Sequence, residues 1–203
     1  MTHLRLRPGR WTREDVGRDT RMKRKPPTNP TLASFVEAVE RTVNPALAAF
    51  GFTREQADLK PQSVEYCYGS GTRYVKVSAN VDPRDSPSYL NTVIGEGQRS
   101  WPEVDWNGVA LWRLARACPD APATISEYLL APDADIAALV DQMRRDLEIY
   151  AADFLRGDLT RFREVRAQVN QEREPYKIHK PVGDGTYRTE VDPTSADLKS
   201  RFS

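Results

Sequence analysis

Residues 63–81 read SVEYCYGSGTRYVKVSANV, and this stretch decides the fold. Val64, Tyr66 and Tyr68 alternate with Glu65 and Cys67. Past Gly69-Ser70-Gly71, Val75, Val77, Ala79 and Val81 alternate with Tyr74, Lys76, Ser78 and Asn80. Period-two alternation of Val and Tyr around a glycine pair predicts a β-hairpin with one apolar face. A turn at Ser70-Gly71 sets Val64 opposite Val77, Tyr66 opposite Val75, and Glu65 opposite Lys76 on the polar face. A turn at Gly69-Ser70 suits the type II′ preference and keeps the same faces; the Glu65–Lys76 match favours the first. Such a hairpin needs helices over its apolar side.

The flanking sequence supplies them. Thr31 is the expected N-cap of a helix whose apolar stripe runs through Phe35, Val36, Val39 and Val43. Asn44-Pro45 should break or kink it, with Leu47 and Phe50 continuing the stripe as far as Gly51 and Phe52. Residues 53–62 read as a polar connection, Tyr89 to Ile94 as a third strand, and Val109 to Ala115 as a short helix. Asp133 is the expected cap of the longest helix, with Ile136, Leu139, Val140, Met143, Leu147, Tyr150, Phe154 and Leu155 on one stripe. Gly157 should end it, and Asp158 should cap a helix carrying Leu159, Phe162, Val165 and Val169. In the tail, Ile178–Val182 and Thr186–Val191 flank Asp184-Gly185, a second hairpin signal. Pro181 restricts its first strand to an edge, and Thr194 to Phe202 reads as a short helix. The expected fold is α+β: a small antiparallel sheet of three to four strands, packed on one face by the 31–50 and 133–156 helices.

Charge divides the chain. The 203 residues carry a net +1. Residues 1–30 hold nine Arg or Lys against three acids, a net of +6; the remainder holds 21 against 26, a net of −5. The first segment has no sustained apolar period and reads as a disordered basic arm. Residues 31–173 read as one α+β domain and 174–203 as a polar tail. Cys67 and Cys118 form no CxxC pair, which suits a reducing, cytoplasmic setting. No stretch is apolar enough for a membrane span.

The residues able to carry chemistry are few. The histidines are His3 and His179. His179, among Tyr176, Lys177 and Lys180, has the composition of an RNA-cleaving site, where cations stabilise a phosphorane and His moves protons; the plainer reading is a solvated edge strand. Zinc, Walker and Rossmann patterns are absent from the sequence, so neither metal nor cofactor is expected. Asp82, Asp85, Glu96, Glu103 and Asp105 gather at strand ends and in a Trp-rich loop, where ordinary loop acids are also common. Trp101, Trp106 and Trp112 suggest either a ligand box or the plug of a small core. From this loop, Trp101, Glu103, Asp105 and Trp106 are the candidate partner-binding residues. Arg10, Trp11, Arg21, Lys23, Arg24 and Lys25 are the candidates for nucleic acid, with Trp11 placed to stack on a base.

Asn44-Pro45-Ala46-Leu47, Phe50-Gly51-Phe52 and the strand pair at 63–81 together resemble the bacterial DUF4304-like proteins of unknown function. The resemblance covers residues 31–95, and some proteins of this build are grouped with immunity proteins in toxin systems. It implies a cytoplasmic bacterial interaction protein of immunity or defence type that binds a protein partner without catalysis, and it carries over no site residues. The alternatives are a nucleic-acid binder using the basic arm and a nuclease-like enzyme using the His179 region.

Overall fold

The computed structural model describes residues 27–84, 88–122, 128–129 and 134–203. Helix α1 (Pro30–Ala38) is capped by Asn29 rather than Thr31: the Asn29 side chain accepts from the amides of Thr31 (2.9 Å) and Leu32 (3.3 Å). Pro30 takes the first helical position, where a missing N–H costs nothing. The kink expected at Asn44-Pro45 is a π-helical turn, Val39–Val43, leading into α2 (Asn44–Ala49). Pro45 has no N–H for the carbonyl four residues back, and the wider turn absorbs that loss, with the Asn44 amide bonded to Val39. Leu32, Phe35, Ala38, Val39, Val43 and Leu47 all point inward. Gly51, at φ 77°, ends the run, and Phe52 returns to the core.

Five antiparallel strands follow in spatial order: β1 (Thr53–Leu59), β2 (Ser63–Ser70), β3 (Arg73–Asn80), β4 (Tyr89–Glu96) and β5 (Gly108–Ala110). The short β6 (Tyr128–Leu129) also pairs with β4. The sheet is therefore wider than the three to four strands expected. The segment read as a connection holds β1, an edge strand whose first four residues are exposed, so TREQADL shows no apolar alternation. The helix read over 109–115 is α4 (Leu111–Arg116) preceded by β5, a strand too short to display a period.

The central hairpin turns at Gly71-Thr72. Ser70 pairs with Arg73, Tyr66 with Val77 and Tyr68 with Val75, a register two residues from the expected one. Gly71 alone has a positive φ there, 61°, which is what the first central position of a type II′ turn requires. A two-residue shift keeps every side chain on its face. Val64, Val75 and Val77 are fully buried, as the alternation predicts. Glu65 and Lys76 still meet, diagonally, at 3.3 Å.

Over this face lie α1, α2, α5 (Ile136–Tyr150), α6 (Ala152–Arg156) and α7 (Thr160–Glu172). Val140, Met143, Leu147, Phe154, Leu155 and Phe162 join the strand residues in one core. Asp135 caps α5, accepting from the Ala138 amide at 3.1 Å; Asp133 lies outside the described residues. Gly157, at φ 104°, ends α6, and the Asp158 carboxylate accepts from the Thr160 amide at 2.9 Å. Arg73 reaches from the sheet to the Phe154 and Leu155 carbonyls at 2.7 and 2.8 Å. It thereby ties the helix end to the turn of the hairpin.

The opposite face is also partly covered, contrary to the one-sided packing expected. Loop 97–103 and α3 (Val104–Asn107) lie across the β3–β5 end. Tyr74 is fully buried there and crosses two glycines. A Cβ on Gly95 would stand 2.1 Å from its ring, and one on Gly108 2.8 Å from its hydroxyl. The tail forms β7 (Lys177–Gly183) and β8 (Thr186–Val191), a sheet of its own, then α8 (Pro193–Phe202). Asp184 and Gly185 both have positive φ, 47° and 82°, as a type I′ turn demands.

Candidate partner-binding surface

Loop 97–103 leaves β4 and delivers Trp101 to solvent, with 71% of its surface exposed. The ring is not loose. It stacks on Tyr176 with centroids 6.3 Å apart and 22° between planes. Tyr176 meets Trp106 edge-on at 5.9 Å, and the Arg173 guanidinium lies 5.3 Å from the Trp106 ring. Three aromatic rings thus step from the interior to the surface. Trp106 is fully buried, so the expectation that it touches a partner is corrected: it is the foundation on which the exposed ring rests.

Tyr176 is fixed at every polar atom. Its hydroxyl donates to the Asp105 carboxylate at 2.5 Å. Burial, reinforced by that bond, pushes the phenol up to about 12. Its amide donates to the hydroxyl of buried Ser195 at 2.9 Å, and its carbonyl accepts from the Asp192 amide at 2.8 Å. Buried Asn170 donates to the carbonyls of Trp106 (2.7 Å) and Phe202 (3.1 Å). Arg173 donates to the Asp105 carbonyl. The root of the tail hairpin and the Trp101 loop are therefore one bonded assembly.

Glu103 is half-buried and occupied within the loop, accepting from the Gln98 amide at 3.4 Å and from Asn107 at 3.5 Å. Asn107 in turn accepts from the Tyr74 hydroxyl at 2.6 Å. Asp105 is occupied by Tyr176. Of the four candidates, Trp101 alone is offered outward; the two acids shape the loop. Beside it, Gln56, Glu65, Lys76, Gly97, Gln98, Arg99 and Ser100 line an open polar depression of about 680 Å³. Arg99 pairs with Glu55 above Gly69. Cys67 is buried on this face of β2, and burial pushes its thiol up.

The remaining candidates are not brought together. Asp82 pairs with Arg84, and Glu96 pairs with Arg163 and Arg166. Asp85 lies outside the described residues. Among the described residues, no group of three or more acids, cysteines and histidines could hold a metal ion. His179 stands exposed on β7, its Nδ1 2.8 Å from the Thr189 hydroxyl. Arg10, Trp11, Arg21, Lys23, Arg24 and Lys25 lie outside the described residues, as does the arm up to residue 26. Both Cys67 and Cys118 are free thiols. Among the described residues, no helix is long and apolar enough to cross a membrane.

Sequence reasoning missed Arg173, Asn170 and Ser195, and it grouped Tyr176 with His179 where the structure stacks it on Trp101. Their partners lie far away in the chain, and each sits in a polar stretch without a period. The one local signal is an aromatic residue between Pro175 and the first strand of a hairpin. No family model matches the chain, and no match is found among curated proteins or among solved structures.

Proposed function

We propose that this protein works by binding another protein, as a cytoplasmic interaction protein of immunity or defence type, and not by catalysis. Trp101 carries the reading. A large aromatic ring that is 71% exposed yet held by stacking on an anchored tyrosine is a preorganised contact. Binding then costs little ordering entropy, and aromatic anchors of this kind dominate interface energetics. The polar depression beside it supplies a hydrogen-bonding rim. The immunity-type assignment is supported by the resemblance of residues 31–95, and the cytoplasmic one by the two free thiols.

The test compares affinity capture by the full chain and by Trp101→Ala. A protein retained by the first and depleted at least about tenfold by the second, then shown to bind in a purified titration, is the expected result. A capture profile indifferent to Trp101 overturns the reading. A second reading rests on the +6 of residues 1–30. Nucleic acid bound through it would give an affinity falling steeply with salt, and a chain starting at Pro27, which keeps the Asn29 cap, would lose it.

A further inference from the structure

The tail hairpin has a side that the Trp101 surface does not use. Strands β7 and β8 form a two-stranded sheet alone, with nearly every residue exposed, including Val182 (58%), Tyr187 (67%) and Val191 (53%). A two-stranded ribbon is marginal in water; three or more strands make it stable. Its two edges are unlike. Pro181 removes a donor from β7, and the register slips between Pro181 and Gly183. Strand β8, TYRTEV, contains no proline, and from Tyr187 to Val191 its pairing with β7 is unbroken.

We propose that β8 pairs antiparallel with β8 of a second copy of this chain, about a two-fold axis at Thr189. The two ribbons would then join into one four-stranded sheet. The charges favour this occupant. Within one copy Lys180 lies directly opposite Arg188, a like-charge placement that costs stability. Among the described residues Glu190 alone serves both, 2.7 Å from Lys180 and 3.9 Å from Arg188. An axis at Thr189 sets Arg188 opposite the partner's Glu190, twice. Each Arg188 thereby gains a carboxylate directly across the new seam, although the pair as a whole still holds four cations, two Lys180 and two Arg188, against two Glu190. The same axis sets Tyr187 opposite the partner's Val191, an aromatic and β-branched pair of the favourable kind. Moving the axis to Arg188 or to Glu190 would stack like charges on it, so the register is specified as well as the partner. Because the strands are antiparallel, the two bodies lie at opposite ends of the shared sheet.

Sedimentation velocity over a concentration series of the full chain tests this. The unaltered chain is expected to approach twice the single-chain mass. Arg188→Glu, at a largely exposed position, and Glu190→Arg, at a half-buried one, should each weaken self-association at least about tenfold with unchanged circular dichroism. Mixing the two variants in equal amounts should restore the dimer, because each then supplies the charge the other lacks. A chain that stays monomeric at every concentration overturns the proposal. So does a dimer indifferent to both substitutions, or a mixture that fails to recover. Capture of a foreign protein that Tyr187→Asp abolishes in a monomeric chain also overturns it. Trp101→Ala lies off β8 and should leave the dimer mass unchanged, so this outcome reads separately from partner capture.

Discussion

Among the described residues two hairpins close on two-residue turns, β2–β3 and β7–β8, and they have opposite fates. Both are antiparallel, and both close on a two-residue turn with glycine at positive φ. In β2–β3 the alternate residues are fully buried, with helices over one face and Tyr74 and α3 over part of the other. In β7–β8 apolar residues are scattered over both faces, and nearly every residue is exposed. Local sequence makes a hairpin, and what packs on it makes a core. The difference shows in composition: Val and Tyr against Lys, Arg, Thr and Pro.

The sharpest way to break this contrast is to put one charge in each hairpin. Val77→Asp should cost about 4 kcal/mol or more and unfold the domain, because no partner awaits a carboxylate there. Tyr187→Asp should change the unfolding free energy from urea titration by no more than about 0.5 kcal/mol. Equal effects would mean that the tail hairpin is buried in solution. Next comes steric pressure. Gly95→Ala drives a methyl into a Tyr74 ring held by Asn107 and should cost about 1–3 kcal/mol in the same assay. Gly185→Ala meets no atom, only a strained φ of 82°, and should loosen the tail hairpin alone, as faster amide exchange there.

A smaller effect probes the joint between the two regions. Tyr176→Phe removes the bond to Asp105 and should cost about 1 kcal/mol. It should also speed amide exchange in β7–β8 while β2–β3 stays protected. The smallest effect is electrostatic. Hydrogen bonding to Arg163 holds Glu96 below the usual carboxylate range. The unfolded chain therefore takes up this proton first as pH falls. The stabilisation is complete above the ordinary glutamate value and fades as pH drops through the folded one. Glu96→Gln should flatten that acid limb of the stability profile, while Lys180→Ala on the tail hairpin should leave it alone.

How much of this was legible depended on burial. The faces of β2–β3 followed from alternation, because the period survives a register shift of two. The turn position did not, since Gly69-Ser70-Gly71-Thr72 offers several closures and the neighbouring strands choose among them. Strand β1 was hidden because an edge strand need not alternate. The cap at Asn29 was obscured by Pro30, which reads equally well as a stop or as a first helical residue. At the candidate surface Trp101 was visible and its burial state was not. Trp101 and Trp106 are five residues apart, and only the packing of Tyr176 and Asn170 from the tail decides which of them is interior.

Strand β1 bears on the size of any assembly. It pairs with β2 on one side and leaves its other edge without a strand among the described residues. A molecule with two receptive edges can add copies head to tail without limit and grow into a fibre. The pairing of β1 with β2 slips between Arg54 and Gln56, and the exposed Arg54 and Glu55 crowd that place with charge. Bulges and charges are the devices that make an edge refuse another strand. With this edge closed to growth, β1 offers a β8-joined pair no second point of attachment from which to polymerise.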